Sequence, residues 1–203
     1  MFTGIVQGLC PVVAIEDATA LTQVFVALGE LGCELQPGAS VAINGVCLTV
    51  TATEPSRTGF DVIKESLENT NLSSLETGTH VNVERSFRVG DEIGGHILSG
   101  HVAGVATVDD IEIGSNERNL WFAVDAQWMK YLHYKGFVAL DGASLTIAAV
   151  DHEGSRIKVA LIPETIARTT LGTVAVGASV NLEIDAQTQA IVATVERVLA
   201  ERG

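Results

Sequence analysis

Two small closed β-barrels in tandem, followed by one helix, form the all-β architecture that three features of this chain predict. Short Val/Ile/Thr-rich runs punctuated by Gly, Asn and Asp fill most of the sequence, the pattern of brief strands joined by tight turns. Blocks of the first half return in the second half in the same order. An apolar stripe at helical spacing closes the chain and has no counterpart in either half.

The repeat rests on three matches. GIVQG at 4–8 returns as GHVAG at 100–104, VAINGVCLTV at 41–50 as VALDGASLTI at 138–147, and TNLSSLETGTHVNVE at 70–84 as TTLGTVAVGASVNLE at 169–183. Three blocks in order at nearly constant separation indicate duplication of a whole domain, with a period too long for a solenoid unit. Within the copies, SVAI, CLTVTA, HVNVE, ASLTIAAV, IKVALI and SVNLEI read as strands, with short helices expected around 64–75, 125–133 and 163–171. Closure into a barrel removes the free edges such strands would otherwise expose. The expected units are residues 1–92, 93–186, joined near 86–97, and a terminal helix over 187–203. In that helix Ile191, Val195, Val198 and Leu199 follow helical spacing. A stripe outside the repeat either packs on its own chain or joins chains, and association is the expectation.

Composition narrows the function. A net charge of −13 with 12 Lys+Arg argues against a nucleic-acid partner, which requires clustered positive charge. The N-terminus lacks the basic lead of a secretory signal, and no apolar run approaches the roughly 18 residues that span a membrane. A soluble protein of the cytosol, without membrane association, is the expectation. Cys10, Cys33 and Cys47 cannot all pair, and their spacings fit neither a zinc module nor a redox pair, so free thiols are expected. No Walker loop, dinucleotide GxGxxG or zinc spacing occurs. His96 and His101 would face opposite sides of a strand, which speaks against a shared metal. His80, His133 and His152 read as surface or structural residues.

The phrase at 41–50 repays a strand reading. Val46, Leu48 and Val50 share one face, Cys47, Thr49 and Thr51 the other; in the second copy Ala143, Leu145 and Ile147 fill the barrel while Ser144 and Thr146 point out. Asn44-Gly45 and Asp141-Gly142 are hairpin turn dipeptides, a role that suffices for both glycines. Small polar groups on the outer face leave room for a flat polar ring, although an outward Thr or Ser is more often plain solvated surface. At aligned positions Cys47 faces Ser144, Asn44 faces Asp141, Lys64 faces Pro163 and His101 faces Ile5. Two pockets of one shape with different reactive groups suit the unequal treatment of two similar molecules. An ordinary two-site binding protein fits the spacing equally well.

With MFTGIVQG, VAINGVCLTV, FDVIKESLENTNL, VNVERS, DEIGGHILSGHV, YKGFVALDGASLTI, LIPETIARTTLG and VNLEIDAQTQAIV, the sequence resembles the α-chain type riboflavin synthases from Met1 to about Leu199. The resemblance implies two six-stranded Greek-key barrels and a homotrimer built through the C-terminal helices. It implies dismutation of two 6,7-dimethyl-8-ribityllumazine molecules by four-carbon-unit transfer, giving riboflavin and 5-amino-6-ribitylaminouracil, the last step of riboflavin biosynthesis. No cofactor or metal takes part, and association with lumazine synthase is a further implied partnership. The active site would lie between the N-barrel of one chain and the C-barrel of its neighbour.

Carried onto this chain, the N-barrel wall would be Gly4, Ile5, Val6, Cys47, Leu48, Thr49 and the run Asp61, Val62, Ile63, Lys64, Glu65, Ser66. The C-barrel wall would be Gly100, His101, Val102, Lys135, Ser144, Leu145, Thr146 and the run Leu161, Ile162, Pro163, Glu164, Thr165, Ile166. Phe2 and Asp185 match positions near the site, Asp185 among the catalytic group. The reaction requires that a methyl group lose a proton, that a nucleophile add to the other ring, and that protons be returned. On that basis His101 with Ser144 and Thr146 would assist proton transfer, while Asp141 and Lys135 orient or polarise them. Cys47, also in the catalytic group, would act as a transient nucleophile or as a small group that fits, and fit is favoured because no base stands near it in sequence. Lys64 and Glu65 would meet ribityl hydroxyls.

The sequence departs from the family pattern at Ala186, where EIDPQTQA carries Pro, a change expected to loosen the turn before the helix, and it stops soon after the helix without the polar tail of some relatives. A chromophore carrier like the lumazine and yellow fluorescent proteins of luminous bacteria is the rival; those have a degraded second site, whereas LDGASLTI, YKGF and GHV are intact here. A flavin reductase would need a nicotinamide-binding domain, for which no residues remain.

Overall fold

The computed structural model describes residues 1–17, 21–54, 56–114 and 117–202; Gly203, the end of the expected helix segment, lies outside them. Alternating burial makes each expected run a strand. The first barrel comprises β1 (Gly8–Asp17), β2 (Leu21–Val26), β3 (Ser40–Ile43), β4 (Val46–Glu54), β5 (Arg57–Ile63) and β6 (His80–Arg85), closed in the order β1-β2-β5-β4-β3-β6. The second comprises β7 (Gly104–Ile113), β8 (Arg118–Ala123), β9 (Phe137–Leu140), β10 (Ala143–Asp151), β11 (Arg156–Leu161) and β12 (Ser179–Ile184), in the same cyclic order. All pairings are antiparallel. Register shifts recur at matching places, between Val50 and Ala52 in β4 and between Ile147 and Ala149 in β10, where a bulge bends a strand so that a small barrel can close.

Each barrel has its own core. Val46, Leu48, Val50, Phe60, Val62 and Val83 fill the first, and Leu120, Phe122, Leu145, Ile147, Leu161 and Leu182 the second. The expected helical stretches form as α1 (Lys64–Asn69) and α2 (Pro163–Arg168), each followed by a 3-10 turn, at Asn71–Ser74 and Thr170–Gly172; a 3-10 helix spans Ala126–Tyr131. Thr70 and Thr169 break both stretches. Each is extended, and its hydroxyl donates to the carbonyl four residues back, Ser66 at 2.5 Å and Thr165 at 2.7 Å, closing the helix end that the backbone leaves open.

The barrels meet at their equivalent hairpins. Asn44-Gly45 and Asp141-Gly142 are left-handed at both positions, with φ of 45° and 80° in the first and 45° and 78° in the second, as a tight type I′ hairpin requires. The two turns lie back to back: a Cβ on Gly45 would stand 2.6 Å from the amide nitrogen of Gly142. A ring of buried amides surrounds them. Asn82 donates through Nδ2 to the carbonyl of Asp141 at 2.8 Å, and Asn181 likewise to the carbonyl of Asn44 at 2.8 Å. A small apolar cluster of Phe2, Ala42, Leu98 and Ala139 completes the interface, with Phe2 and Leu98 joined as a β-bridge.

The strands of the two barrels follow one another along the chain, β1 to β6 and then β7 to β12, but two short arms cross between the barrels. The arm ahead of β1 packs on the second barrel: the carbonyl of Gly4 accepts from the amide of Ser144 at 2.8 Å, and Val6 joins the second core. The arm ahead of β7 packs on the first: the carbonyl of Gly100 accepts from the amide of Cys47 at 2.9 Å, and Val102 lies against the first core. After β12 comes α3 (Ala186–Ala200), started by the carboxylate of Asp185, which accepts from the amide of Thr188 at 2.8 Å and its hydroxyl at 2.7 Å. That cap defines the helix start without Pro at position 186. Val192 packs on the second core and Lys130 pairs with Glu196 at 2.7 Å, whereas Ile191, Val195 and Leu199 are 65%, 52% and 64% exposed. No helix among the described residues is long and apolar enough to cross a membrane.

Candidate functional site

Outward side chains of β4 line a cleft, and those of β10 occupy the equivalent outer face of the second barrel. In the first barrel a half-open cleft of about 310 Å³ is lined by Val46, Cys47, Ile63, Glu65, Ser66, Asn69, Thr70, Gly100, His101 and Val102. β4 supplies Cys47, the end of β5 and the first turn of α1 supply Ile63, Glu65 and Ser66, and the crossed arm supplies the opposite wall. Thr49 is exposed beside Cys47 on the same face. Lys64 stands outside the lining and pairs with Glu68 at 3.3 Å on the exposed face of α1.

The second barrel repeats the arrangement with Ser144 and Thr146 on β10, Ile162 and the turns of α2 beyond β11, and Gly4 with Ile5 on the other arm. Lys135 is exposed, in a left-handed conformation with φ of 64°, and its ammonium lies over the ring of Tyr134 at 5.3 Å.

This corrects the expected division of the walls. Gly4, Ile5 and Val6 were assigned to the first barrel and Gly100, His101 and Val102 to the second; the arms place each triplet against the other barrel. Sequence order assigns a segment to the strand it precedes, but each arm hydrogen-bonds across the pseudo-twofold interface instead. Within one chain, therefore, His101 keeps company with Cys47, and Ser144 and Thr146 stand on the other wall.

Strand alternation separates true lining from core within the expected runs. Leu48, Val62, Leu145, Leu161 and Val6 turn their side chains into the barrels, so only their backbones face the clefts. Asp61 accepts from Gln23 Nε2 at 2.8 Å on the barrel surface. Pro163 and Glu164 are exposed, and Thr165 and Ile166 half-buried. Phe2 is buried between the barrels, where its ring supports Gly100.

Asp141 does not face its expected partners. It is 3% exposed, and its Oδ1 accepts from the amide of Asn181 at 2.7 Å and from Asn71 Nδ2 at 2.9 Å, deep in the barrel interface. Burial without a cation pushes its carboxyl up to about 7. Its turn position, which points it at the facing hairpin, explains why it stands apart from Lys135 and Ser144.

His96 takes the place beside Ser144. Its Nδ1 lies 2.7 Å from Ser144 Oγ, and its ring stacks on Phe137 with centroids 4.9 Å apart. The segment holding His96 and His101 is not a strand beyond the bridge at Leu98, so the expected strand alternation does not govern them. Burial holds the imidazole below its ordinary pKa, and the nearby Asp185 charge opposes that shift. His96 Nε2 is buried with no hydrogen-bond partner among the described residues. Sequence spacing compared His96 only with His101; nothing in it points to a serine 48 residues away. Among the described residues no group of three or more His, Cys, Asp or Glu side chains is placed to hold a metal ion.

Comparison with known proteins accounts for the duplicated architecture. The lumazine binding domain family matches twice, over residues 3–86 and 99–185. A riboflavin synthase of Escherichia coli strain K12 is 51% identical across 100% of this chain and 95% of its own length. One from Chlamydia trachomatis is 42% identical across 100% and 98%. A crystal structure of LumP complexed with riboflavin superposes with a TM-score of 0.84 at 25% identity, covering 91% of this chain and 100% of that one.

Proposed function

The chain belongs to the riboflavin synthase family, and from that premise we propose that it takes two molecules of 6,7-dimethyl-8-ribityllumazine and moves a four-carbon unit from one to the other, releasing riboflavin and 5-amino-6-ribitylaminouracil. The observation that carries this reading is the full-length 51% identity to the E. coli enzyme in a chain whose two barrels both retain the polar strand, turn and crossed arm.

Each cleft would receive one lumazine against the outer face of β4 or β10, with Glu65 and Ser66 within reach of a ribityl chain in the first. Holding two rings face to face supplies the larger part of the rate, since fixed orientation is worth roughly 7–11 kcal/mol of barrier. The proton steps fall to groups that differ between the clefts. Neutral His96 is placed to exchange a proton with the hydroxyl of Ser144, activating it or a molecule bound to it, a role that typically gives on the order of a hundred- to ten-thousandfold. His101 lies against Cys47 in the other cleft, so it joins Ser144 and Thr146 only where the first barrel of one copy meets the second barrel of another. Asp185, capping α3 beside His96, would couple that helix to the site.

This geometry supports a homo-oligomer, read as a homotrimer through α3, whose exposed Ile191, Val195 and Leu199 await a partner. Three free cysteines, with Cys33 exposed, suit a reducing cytoplasm. Association with lumazine synthase is a further family expectation that co-sedimentation tests. The deciding experiment mixes the purified protein with 6,7-dimethyl-8-ribityllumazine alone and follows riboflavin by chromatography and fluorescence. Turnover without additions is expected; tight binding without product would favour a carrier, and neither binding nor turnover would overturn the reading.

A further inference from the structure

We propose that Glu84 and Glu183 are crossed positioning residues, each standing on the closing strand of one barrel and setting a wall of the ligand cleft in the other. The proposal rests on the reading of the two clefts as ligand sites.

Glu84, on β6, reaches the arm that walls the second barrel's cleft. Its Oε1 accepts from the amide of Thr3 at 2.6 Å and the Thr3 hydroxyl at 2.8 Å, and its Oε2 accepts from the amide of Gly4 at 3.0 Å. Glu183, on β12, does the same for the arm that walls the first. Its Oε1 accepts from the amide of Ser99 at 2.7 Å and the Ser99 hydroxyl at 2.8 Å, and the amide of Gly100 is shared between its two oxygens at 3.2 and 3.1 Å. Both side chains are buried, at 3% and 5% exposure. Charge-assisted bonds of this kind are the strong ones.

The arms are held to the strands at the carbonyls of Gly4 and Gly100, and the carboxylates hold the amides on the other side of the same residues. Gly4 and Gly100 are left-handed, with φ of 74° and 79°, and a Cβ on either would stand 2.5 Å from the Cβ of Ser144 or Cys47. Only bare backbone fits that close to the cleft strand. The hydroxyls then carry the restraint one residue further: Thr3 Oγ1 accepts from the amide of Ile5 at 3.3 Å, and Ser99 Oγ from the amide of His101 at 3.1 Å. Glu183 thus acts through Ser99 on the backbone bearing His101, a lining residue of the Cys47 cleft. A carboxylate serves where an amide would not, because every group facing it is a donor.

The test uses the full-length protein, titrated with riboflavin while the backbone amides of Thr49 and Thr146 are followed by NMR, one reporting each cleft. Glu183→Gln is expected to weaken the Thr49 response by about tenfold and leave that of Thr146 within about twofold, and Glu84→Gln to do the reverse. If wild-type protein binds riboflavin in one cleft alone, the crossed glutamate of that cleft must be the one that matters. Should a Gln variant fail to fold, Ser99→Ala and Thr3→Ala, which remove the intermediate hydroxyl and leave the carboxylate, carry the same crossed expectation. Equal weakening of both clefts, or weakening confined to the glutamate's own barrel, would show a merely structural role and overturn the proposal. A wild type in which neither amide responds to riboflavin would instead remove the ligand reading, and the proposal with it.

Discussion

The carboxylate of Asp141 accepts from the backbone amide of Asn181 at 2.7 Å in the same way that the side-chain oxygen of Asn44 accepts from the backbone amide of Asn82 at 2.8 Å. The two hairpins are therefore equivalent in geometry but differ in one titratable atom. Asn44 shows that a neutral side chain satisfies this position, and the raised carboxyl of Asp141 means that it too is neutral over much of the acid range.

Asp141→Asn is accordingly expected to fold with little loss and to change how stability depends on pH. A carboxyl whose folded pKa is raised from 3.8 to about 7 adds stability that is fully present below its unfolded value. That contribution is lost as pH climbs through about 7, because the unfolded chain ionises first. The difference in urea unfolding free energy between wild type and variant should shift in favour of the variant from pH 4 to pH 8. A pH-independent difference would mean that the Asp141 carboxyl titrates normally despite its burial.

Gly142→Ala should be among the costliest single changes in the chain. The new Cβ would approach the Cα and amide nitrogen of Gly45 to 2.8 Å, and the backbone there cannot give without parting the barrels. Left-handed φ alone costs on the order of 1–2 kcal/mol, so a total loss above about 2 kcal/mol is expected in chemical denaturation. By contrast, Gly38→Ala, at a left-handed glycine with open space around it, should cost only the conformational part.

The contrast between these sites shows where sequence reading reaches and where it stops. Strands, hairpins, the duplication and the terminal helix are legible because alternation, turn dipeptides and helical spacing are local signals, and Val46, Leu48, Ala143 and Leu145 point inward as alternation requires. GIVQG and GHVAG were visible as repeats, yet nothing local states which barrel such an arm will join. Asp141 looked like a turn residue beside a reactive strand, because its burial depends on a second hairpin nearly half the chain away. His96 was judged against its neighbour His101, while its partner Ser144 comes from another element.

His96→Gln should reveal a proton-transfer role in the rate. A loss of about a hundredfold or more in kcat, with a smaller change in KM, is expected if the imidazole serves Ser144. Burial lowers the folded pKa, so the neutral ring persists below pH 6.5, and the acid limb of wild-type kcat should lie beneath that value and vanish in the variant. An unchanged acid limb in His96→Gln would assign the limb to another group and leave His96 a packing role against Phe137.

The outer face of α3 makes the strongest demand for a partner. Ile191, Val195 and Leu199 recur at four-residue spacing and so lie on one stripe, while Val192, one position round the helix, packs on the second barrel and Glu196 pairs with Lys130. The stripe therefore faces away from its own chain. Burying each side chain in a second copy would be worth about 1.5–3 kcal/mol, enough together to hold an assembly at micromolar concentration when other contacts add to them. Replacing Ile191 and Val195 with Glu should dissociate the protein in sedimentation velocity without unfolding it, because neither residue belongs to either core. If activity needs the first cleft of one copy opposite the second cleft of another, turnover should fall with the oligomer and recover as protein concentration is raised. A variant that sediments as a monomer yet turns over at the wild-type rate would mean that one chain brings both rings together by itself.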